Sequence, residues 1–436
     1  MIKIASNKVR WVISAFFALL ILFGTYSNVF SLAAFLGCCL MVVFFEKESI
    51  LLQLFFIMPM ANIFKLSPTS QSFFTILLLL YVALHLVLPR KATTLVILFG
   101  IYVVVGELFA GQFNLFRTIK FICNILFLSS ILNDKVKLNN KEIFFSYIIG
   151  NIVSSVFGLM DSDLFRINDY VGVMEFINPE MEIDVFRFVG LYPDPNYYSI
   201  GLVVSLCLLV LMYYRNDINS FVMTLFGAPI IYFLVMTYSK SAIIMILVVF
   251  IFLLYTLFHK KKHAAALMLI GLLAMIVVLA LSGAIPMLDV VISRILAADT
   301  GNAIDVNTLT TGRFNIWVMY IKNMAVSVKT IFFGDSITAE LVNGRASHNT
   351  YLDIFYNLGL VGGILLFASL KAILSQSMYS KFKRNIINYS ILICILTMYF
   401  FLGELFYYDP PFQIFLAFVA LNLPLEENKI KEKCSI

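Results

Sequence analysis

The chain has 436 residues, of which 61% are hydrophobic and 13% charged, and it carries a net charge of +6. An ordinary soluble domain is about 25% charged, so this composition excludes a soluble globular protein. Its six cysteines form no disulfide framework and no zinc site, because Cys38, Cys39, Cys123, Cys207 and Cys394 fall in apolar segments and Cys434 in the tail.

A spanning helix needs roughly 20 mostly apolar residues. Apolar stretches separated by short polar breaks predict an all-α polytopic membrane protein with fourteen helices. They lie at about residues 11–25, 29–45, 50–65, 72–89, 93–109, 114–132, 143–160, 197–214, 220–237, 241–258, 264–282, 351–374, 387–403 and 410–423. The first run follows Lys3, Lys8 and Arg10, like the charged start of a signal peptide, but no small-residue cleavage site precedes the next run, so it is read as helix 1.

Basic residues cluster in alternate breaks: Arg90 and Lys91, then Lys135, Lys137 and Lys141, then Arg215, the HKKKH block at 259–263, and Lys381, Lys383 and Arg384. The other short breaks offer only Lys65 and Lys240. By the positive-inside rule both termini are cytoplasmic. Residues 1–160 then hold helices 1–7, residues 161–196 a first long outer loop, residues 197–282 helices 8–11, residues 283–350 a large outer loop, and residues 351–436 helices 12–14 and a tail.

The large loop is expected to contain two amphipathic helices. PMLDVVISRILAA, from Pro286, places Leu288, Val291, Ile292 and Ile295 at helical spacing. TGRFNIWVMYIKNMAV offers Thr311 as N-cap and a stripe of Trp317, Tyr320, Ile321 and Met324. No internal repeat is visible. Arg117 and Lys120 are two cations inside helix 6, where they need a partner, a hydrated cavity or an outward reach.

Three polar clusters sit at the outer starts of helices: FRFVGLYPDPNYYS at 186–199, TYSKSA at 237–242 and SHNTYLD at 347–353. Helix N-termini expose unpaired N–H groups and the positive pole of the macrodipole, which attract anions. Arg187, Lys240, Arg313 and Arg345 add full positive charges near that face. Capping accounts for much of the rest. Asp194 is an N-cap with Pro195 at the first helical position, Ser239 or Ser241 caps helix 10, and Thr350 with Asp353 has capping-box spacing. Capping does not account for the cations, for which a ligand and a loop salt bridge to Glu175, Glu182, Asp184 or Asp335 both stand as readings. His348 is the one histidine on the outer side, and an imidazole titrating near neutrality suits a general base.

The ordered motifs R-x-x-G-x-x-x-D-P-N (Arg187 to Asn196), T-x-S-K-S-A (Thr237 to Ala242), T-G-R-x-x-x-W (Thr311 to Trp317) and S-H-N-x-Y-L with G-x-x-G (Ser347 to Gly362) resemble the O-antigen ligase/polymerase family. The resemblance covers residues 186–363, and the chain departs from the family pattern in having Ser239-Lys240 where arginine is usual. It implies glycosyl transfer at the periplasmic face of a bacterial inner membrane. The donor would be an oligosaccharide linked through diphosphate to undecaprenol, with no metal, nucleotide or other cofactor and no nucleic acid. On this resemblance Arg187, Arg313 and Arg345 stabilise the diphosphate, and His348 takes the acceptor proton. Asp194, Asn196, Asn349, Ser239 and Lys240 bind or orient substrate, and Tyr192, Tyr197, Tyr198 and Trp317 offer rings to sugars or anchor the interface. The first reading is a polymerase of repeat units, for O-antigen or a capsular-type polysaccharide. Besides the lipid bilayer, its expected partners are a chain-length regulator and a flippase. A ligase acting on lipid A core and, from another class, a lipid-linked oligosaccharide flippase are the alternatives.

Overall fold

In lipid every backbone N–H and C=O must be satisfied within its own segment, so long apolar stretches fold as helices. The structure is a computed structural model that describes residues 7–86, 90–110, 114–132, 140–160, 172–178, 183–192, 194–281, 312–335, 342, 344–375, 386–400 and 402. Each of the first thirteen expected segments contains a helix. They are α1 (Asn7–Phe23), α2 (Asn28–Phe44), α3 (Lys47–Ile57), α4 (Phe73–His85), α5 (Arg90–Ala110), α6 (Leu115–Leu132), α7 (Asn140–Phe157), α8 (Pro195–Tyr214), α9 (Ser220–Met236), α10 (Lys240–His259), α11 (His263–Leu281), α14 (Thr350–Ser375) and α15 (Ser390–Met398). Between α11 and α14 lie α12 (Arg313–Ala325) and α13 (Val328–Phe333). Among the described residues three helices are long and apolar enough by themselves to cross a membrane: Pro195–Tyr214, Lys240–His259 and Thr350–Ile373. The other apolar helical stretches among the described residues are shorter, such as Thr93–Phe109 within α5, and the expected helices at 286–298 and 410–423 lie outside the described residues.

Three local expectations change. Helix 3 stops at Ile57 instead of residue 65, because Pro59 lacks an N–H and disfavours helix at Met58; the chain continues as a 3₁₀ turn, Met58–Met60. That irregular stretch is buried in protein, where Ser72 Oγ donates to the Ala61 carbonyl at 2.6 Å. The first long loop holds an antiparallel hairpin, β1 (Gly172–Asn178) and β2 (Ile183–Gly190), with Met174 opposite Arg187. The β-branched and aromatic residues of Val185-Phe186-Arg187-Phe188-Val189 favour that strand, so the fold is helical with one small sheet rather than purely helical. In the second loop α12 starts at Gly312, whose φ is 79°, without a side-chain cap, and α13 is an addition that periodicity does not announce.

Helix α8 is the axis of one half of the molecule. It is apolar on all sides and buried along most of its length against α7, α9, α10, α15 and β2. In the other half α14 packs against α5, α6, α12 and α13. The ends of the bundle differ in chemistry. Where α1, α3 and α7 begin, Arg10 is buried among Glu46, Glu48 at 3.1 Å and Glu142 at 3.8 Å. The opposite end is where α8, α10 and α14 begin, and it is called the site end below.

Gly359 breaks α14 with a φ of 63°, and at this break α14 meets the end of α13 backbone to backbone. A methyl group added at Gly359 would lie 2.4–2.5 Å from backbone atoms of Phe332 and Gly334. The Tyr102 hydroxyl of α5 lies against the carbonyl oxygens of both helices, at 2.8 Å from Phe333 and 2.6 Å from Leu358. Gly359→Ala combines a left-handed backbone with this overlap and is expected to cost about 2 kcal/mol or more. A fall in melting temperature in detergent, with faster proteolysis of segment 312–335, would show it; an unchanged melting curve would rule out the tight crossing.

Candidate functional site

The site end is assembled from three helix starts, each capped by a polar side chain. Asp194 caps α8, its Oδ1 accepting the Asn196 N–H at 2.7 Å, with Pro195 in the first turn. Ser239 caps α10 by accepting the Ala242 N–H at 3.4 Å, and its hydroxyl donates to Asn196 Oδ1 at 2.7 Å. One hydroxyl therefore ties the starts of α8 and α10 together.

The start of α14 corrects the sequence reading. The cap is Asn349, not Thr350: its Oδ1 accepts the N–H groups of Tyr351 at 3.0 Å and Leu352 at 3.1 Å. Asp353 does not close a capping box with Thr350 but accepts from Ser347 Oγ at 2.6 Å. Thr350 turns to α15 instead, its N–H donating to the Tyr399 carbonyl at 2.9 Å and its hydroxyl to the Leu402 carbonyl at 2.5 Å. The Asn349 carbonyl oxygen of the side chain is thus occupied by the helix it caps, and the residue is 4% exposed.

Helix α12 is the platform beneath this turn. Trp317 Nε1 donates to the Ser347 carbonyl at 3.0 Å, and the Tyr320 hydroxyl donates to the Arg345 carbonyl at 2.9 Å. The Tyr320 ring meets Tyr356 edge-on at 5.0 Å. Trp317, expected against a sugar ring, has its polar edge turned to the backbone that carries His348.

His348 is half-buried with φ 49°, a left-handed backbone uncommon outside glycine, though histidine is among the residues that adopt it more readily. Tyr238, one residue before the α10 cap, is also left-handed, with φ 46°. Burial, helped by the positive charge of Arg313, holds the His348 imidazole below its usual pKa range, while Asp194 opposes the shift. Burial likewise lowers Arg313, and Asp194 and Tyr197 oppose it. His348, Arg313, Asp194 and Tyr197 therefore share one electrostatic environment, which favours the uncharged imidazole. The other described histidines have ring or hydrogen-bond contacts: His85 with Tyr81 and the Val42 carbonyl, His259 with Tyr214 and Tyr255, His263 with Phe258. The His348 ring has no hydrogen bond to protein among the described residues.

The other expected residues are distributed as follows. Arg187 is buried at 8% exposure, and its Nε donates to the Thr237 carbonyl at 3.0 Å, bracing the turn between α9 and α10. Lys240 is half-buried in the first turn of α10, and Arg345 is exposed. Tyr192 is buried in the apolar core beside Tyr198, so it presents no ring face for a sugar. Tyr198 is fully buried with its hydroxyl on Ser155. Gly190 of the R-x-x-G motif has φ 58°, and a methyl group there would lie 2.5 Å from the Tyr198 ring, which explains the glycine.

Chemically, the site end joins an imidazole and a guanidinium to three helix N-termini. Positive poles and cations crowded together suit an anion, and the imidazole suits a proton being removed.

No family model matches the chain, and no solved structure matches it. The chain is similar to a known oligosaccharyltransferase. That protein is the ComP-specific O-oligosaccharyltransferase of Acinetobacter baylyi, 28% identical over 294 residues, which are 61% of this chain and 49% of the relative. The chain thus aligns with about half the length of the relative it matches.

Two outcomes test this geometry. Asn349→Ala is expected to cost about 1 kcal/mol through loss of the cap, whereas Asn349→Asp keeps it; equal melting temperatures for the two variants would refute the cap. Because the folded His348 pKa lies below its unfolded value near 6.5, the unfolded chain binds the extra proton first. Stability is therefore expected to fall as pH drops through about 6.5. Melting curves between about pH 7.5 and 5.5 should show a smaller fall for His348→Asn, which tolerates the left-handed backbone.

Proposed function

We propose that this chain is a membrane glycosyltransferase that moves an oligosaccharide from a lipid diphosphate to an acceptor hydroxyl. The observation that carries the reading is His348, held half-buried in a left-handed turn, set beside Arg313 and the starts of α8, α10 and α14. In this reaction the acceptor oxygen attacks the anomeric carbon, the bond from that carbon to the diphosphate oxygen breaks, and negative charge collects on the leaving diphosphate. Arg313 and the helix N-termini meet that charge without reorganising, and Lys240 in the first turn of α10 adds to it. His348 accepts the proton of the acceptor hydroxyl. Asp194 balances the cations around the imidazole. Arg187 is a positioning residue in this scheme, acting through the Thr237 carbonyl, and Trp317 positions His348 through Ser347. Arg345, exposed on the same loop, is placed to draw in the anionic carrier.

The distribution of lysine and arginine between loops supports a site facing the periplasm of a bacterial inner membrane, with both termini in the cytoplasm. The carrier is undecaprenyl diphosphate in this reading, and the acceptor is a second lipid-linked repeat unit, which makes the chain a polysaccharide polymerase. A second reading is favoured by the similar O-oligosaccharyltransferase: transfer of the finished saccharide to an acceptor that is not a repeat unit, as a ligase performs.

His348→Ala and Arg313→Ala are each expected to lower transfer about 100-fold at unchanged membrane levels. Surface polysaccharide from a deletion strain carrying each variant, run on a gel, reads this; a normal ladder from both would refute the site. In the same strain without complement, acceptors capped by one repeat unit indicate the polymerase. Long lipid-linked chains beside a bare acceptor indicate the ligase.

A further inference from the structure

The ends of α8 and α10 lie opposite the site end, and the turns that follow them are joined there through Tyr213 and Asn216. Residues 215–219 and 260–262 hold four cations, Arg215, Lys260, Lys261 and Lys262, against one carboxylate, Asp217, which Arg215 meets at 3.4 Å. We propose that this corner binds an anionic phospholipid, with the lipid phosphate seated against Lys260, Lys261 and Lys262 and the acyl chains lying on α10. The site is separate from His348 and independent of glycosyl transfer.

The geometry draws like charges together. Ammonium groups repel, and a lysine on a solvated turn has the rotamer freedom to keep away from its neighbours. Two lysines here turn back to one side chain instead. Lys262 Nζ donates to the Tyr213 hydroxyl at 2.8 Å, and the Nζ atoms of Lys260 and Lys262 lie 4.6 and 5.2 Å from the centre of the Tyr213 ring. Lys260 Nζ also donates to Asn216 Oδ1. Tyr213 is 3% exposed, so its ring is a fixed mount for both ammonium groups. Lys262 also stands directly before α11, and a helix N-terminus disfavours a cation and favours an anion. A phosphate between the lysines offsets both repulsions.

The surroundings argue for a lipid rather than a soluble anion. Tyr214 Oη lies 3.2 Å from His259 Nε2, and Tyr255 stacks on His259 with ring centres 6.2 Å apart. Tyrosines gathered at one level mark a membrane–water interface. Beside them Ile251, Tyr255 and Phe258, which share one face of α10 by their spacing, are exposed, as are Leu267 and Met268 of α11. These side chains offer apolar surface to acyl chains directly next to the lysines. The loop distribution of lysine and arginine makes this the cytoplasmic end, where basic pockets between spanning helices bind anionic head groups. A zwitterionic ethanolamine head group would bring its own ammonium to the lysines, so a net negative head group is favoured.

The test titrates the full chain, purified in detergent, with phosphatidylglycerol or phosphatidylethanolamine and counts bound lipid by native mass spectrometry. Wild type is expected to bind phosphatidylglycerol about tenfold or more tightly than phosphatidylethanolamine. Lys260→Gln combined with Lys262→Gln should weaken phosphatidylglycerol about 30-fold, from roughly fivefold for each lysine at a membrane surface. Lys262→Arg keeps the charge and should bind like wild type, which separates lost binding from lost folding. The absence of a head-group preference in wild type overturns the proposal, whether or not the double variant folds. So does an equal loss in Lys381→Gln combined with Lys383→Gln, which removes the same charge from another break and would make the attraction diffuse. Displacement of phosphatidylglycerol by millimolar inorganic phosphate also overturns it, in favour of a soluble anion.

Discussion

The backbone from Ser347 to Thr350 is held by hydrogen bonds to α12, α14 and α15 at once, and the candidate site depends on that convergence. Trp317 holds the Ser347 carbonyl, Asp353 holds the Ser347 hydroxyl, Asn349 closes the first turn of α14, and Thr350 is tied to the end of α15. A short turn constrained this way has little freedom left. Within it His348 takes a left-handed conformation, and hydrogen bonds hold the residues on either side.

Electrostatics then makes the turn chemically useful. A cation at a helix N-terminus is mildly unfavourable, yet Arg313 and Lys240 both occupy first turns, and Arg313 is partly removed from water. Asp194 supplies one compensating charge, and it is shared between Arg313 and His348. Helix N-termini and cations gathered at one end of the bundle favour anions there. Burial, helped by the charge of Arg313, favours the neutral imidazole, which is the form able to accept a proton.

Helix positions were legible because apolar stretches in lipid have one way to satisfy their backbone, and the caps at Asp194 and Ser239 were legible because a short polar side chain stands directly before an apolar run. The cap of α14 was not. Asn349 and Thr350 are both good capping residues in adjacent positions, and only the neighbouring carbonyls of Tyr399 and Leu402, some fifty residues away in the chain, decide which turns inward. The hairpin at 172–190 was hidden in a segment read as loop, although its alternating β-branched and aromatic residues were a signal.

Composition and periodicity by themselves determined a helical membrane protein, the positions of its main helices and the small set of polar residues at helix starts, since these follow from what a backbone needs in lipid. Tertiary structure decided what each of those polar residues does. Arg187 braces a turn, Tyr192 fills the core, Trp317 and Asn349 hold backbone, and His348 keeps its ring clear of them. A side chain's role depends on which distant carbonyl, carboxylate or ring lies within about 3 Å of it, and local sequence carries no record of that distance.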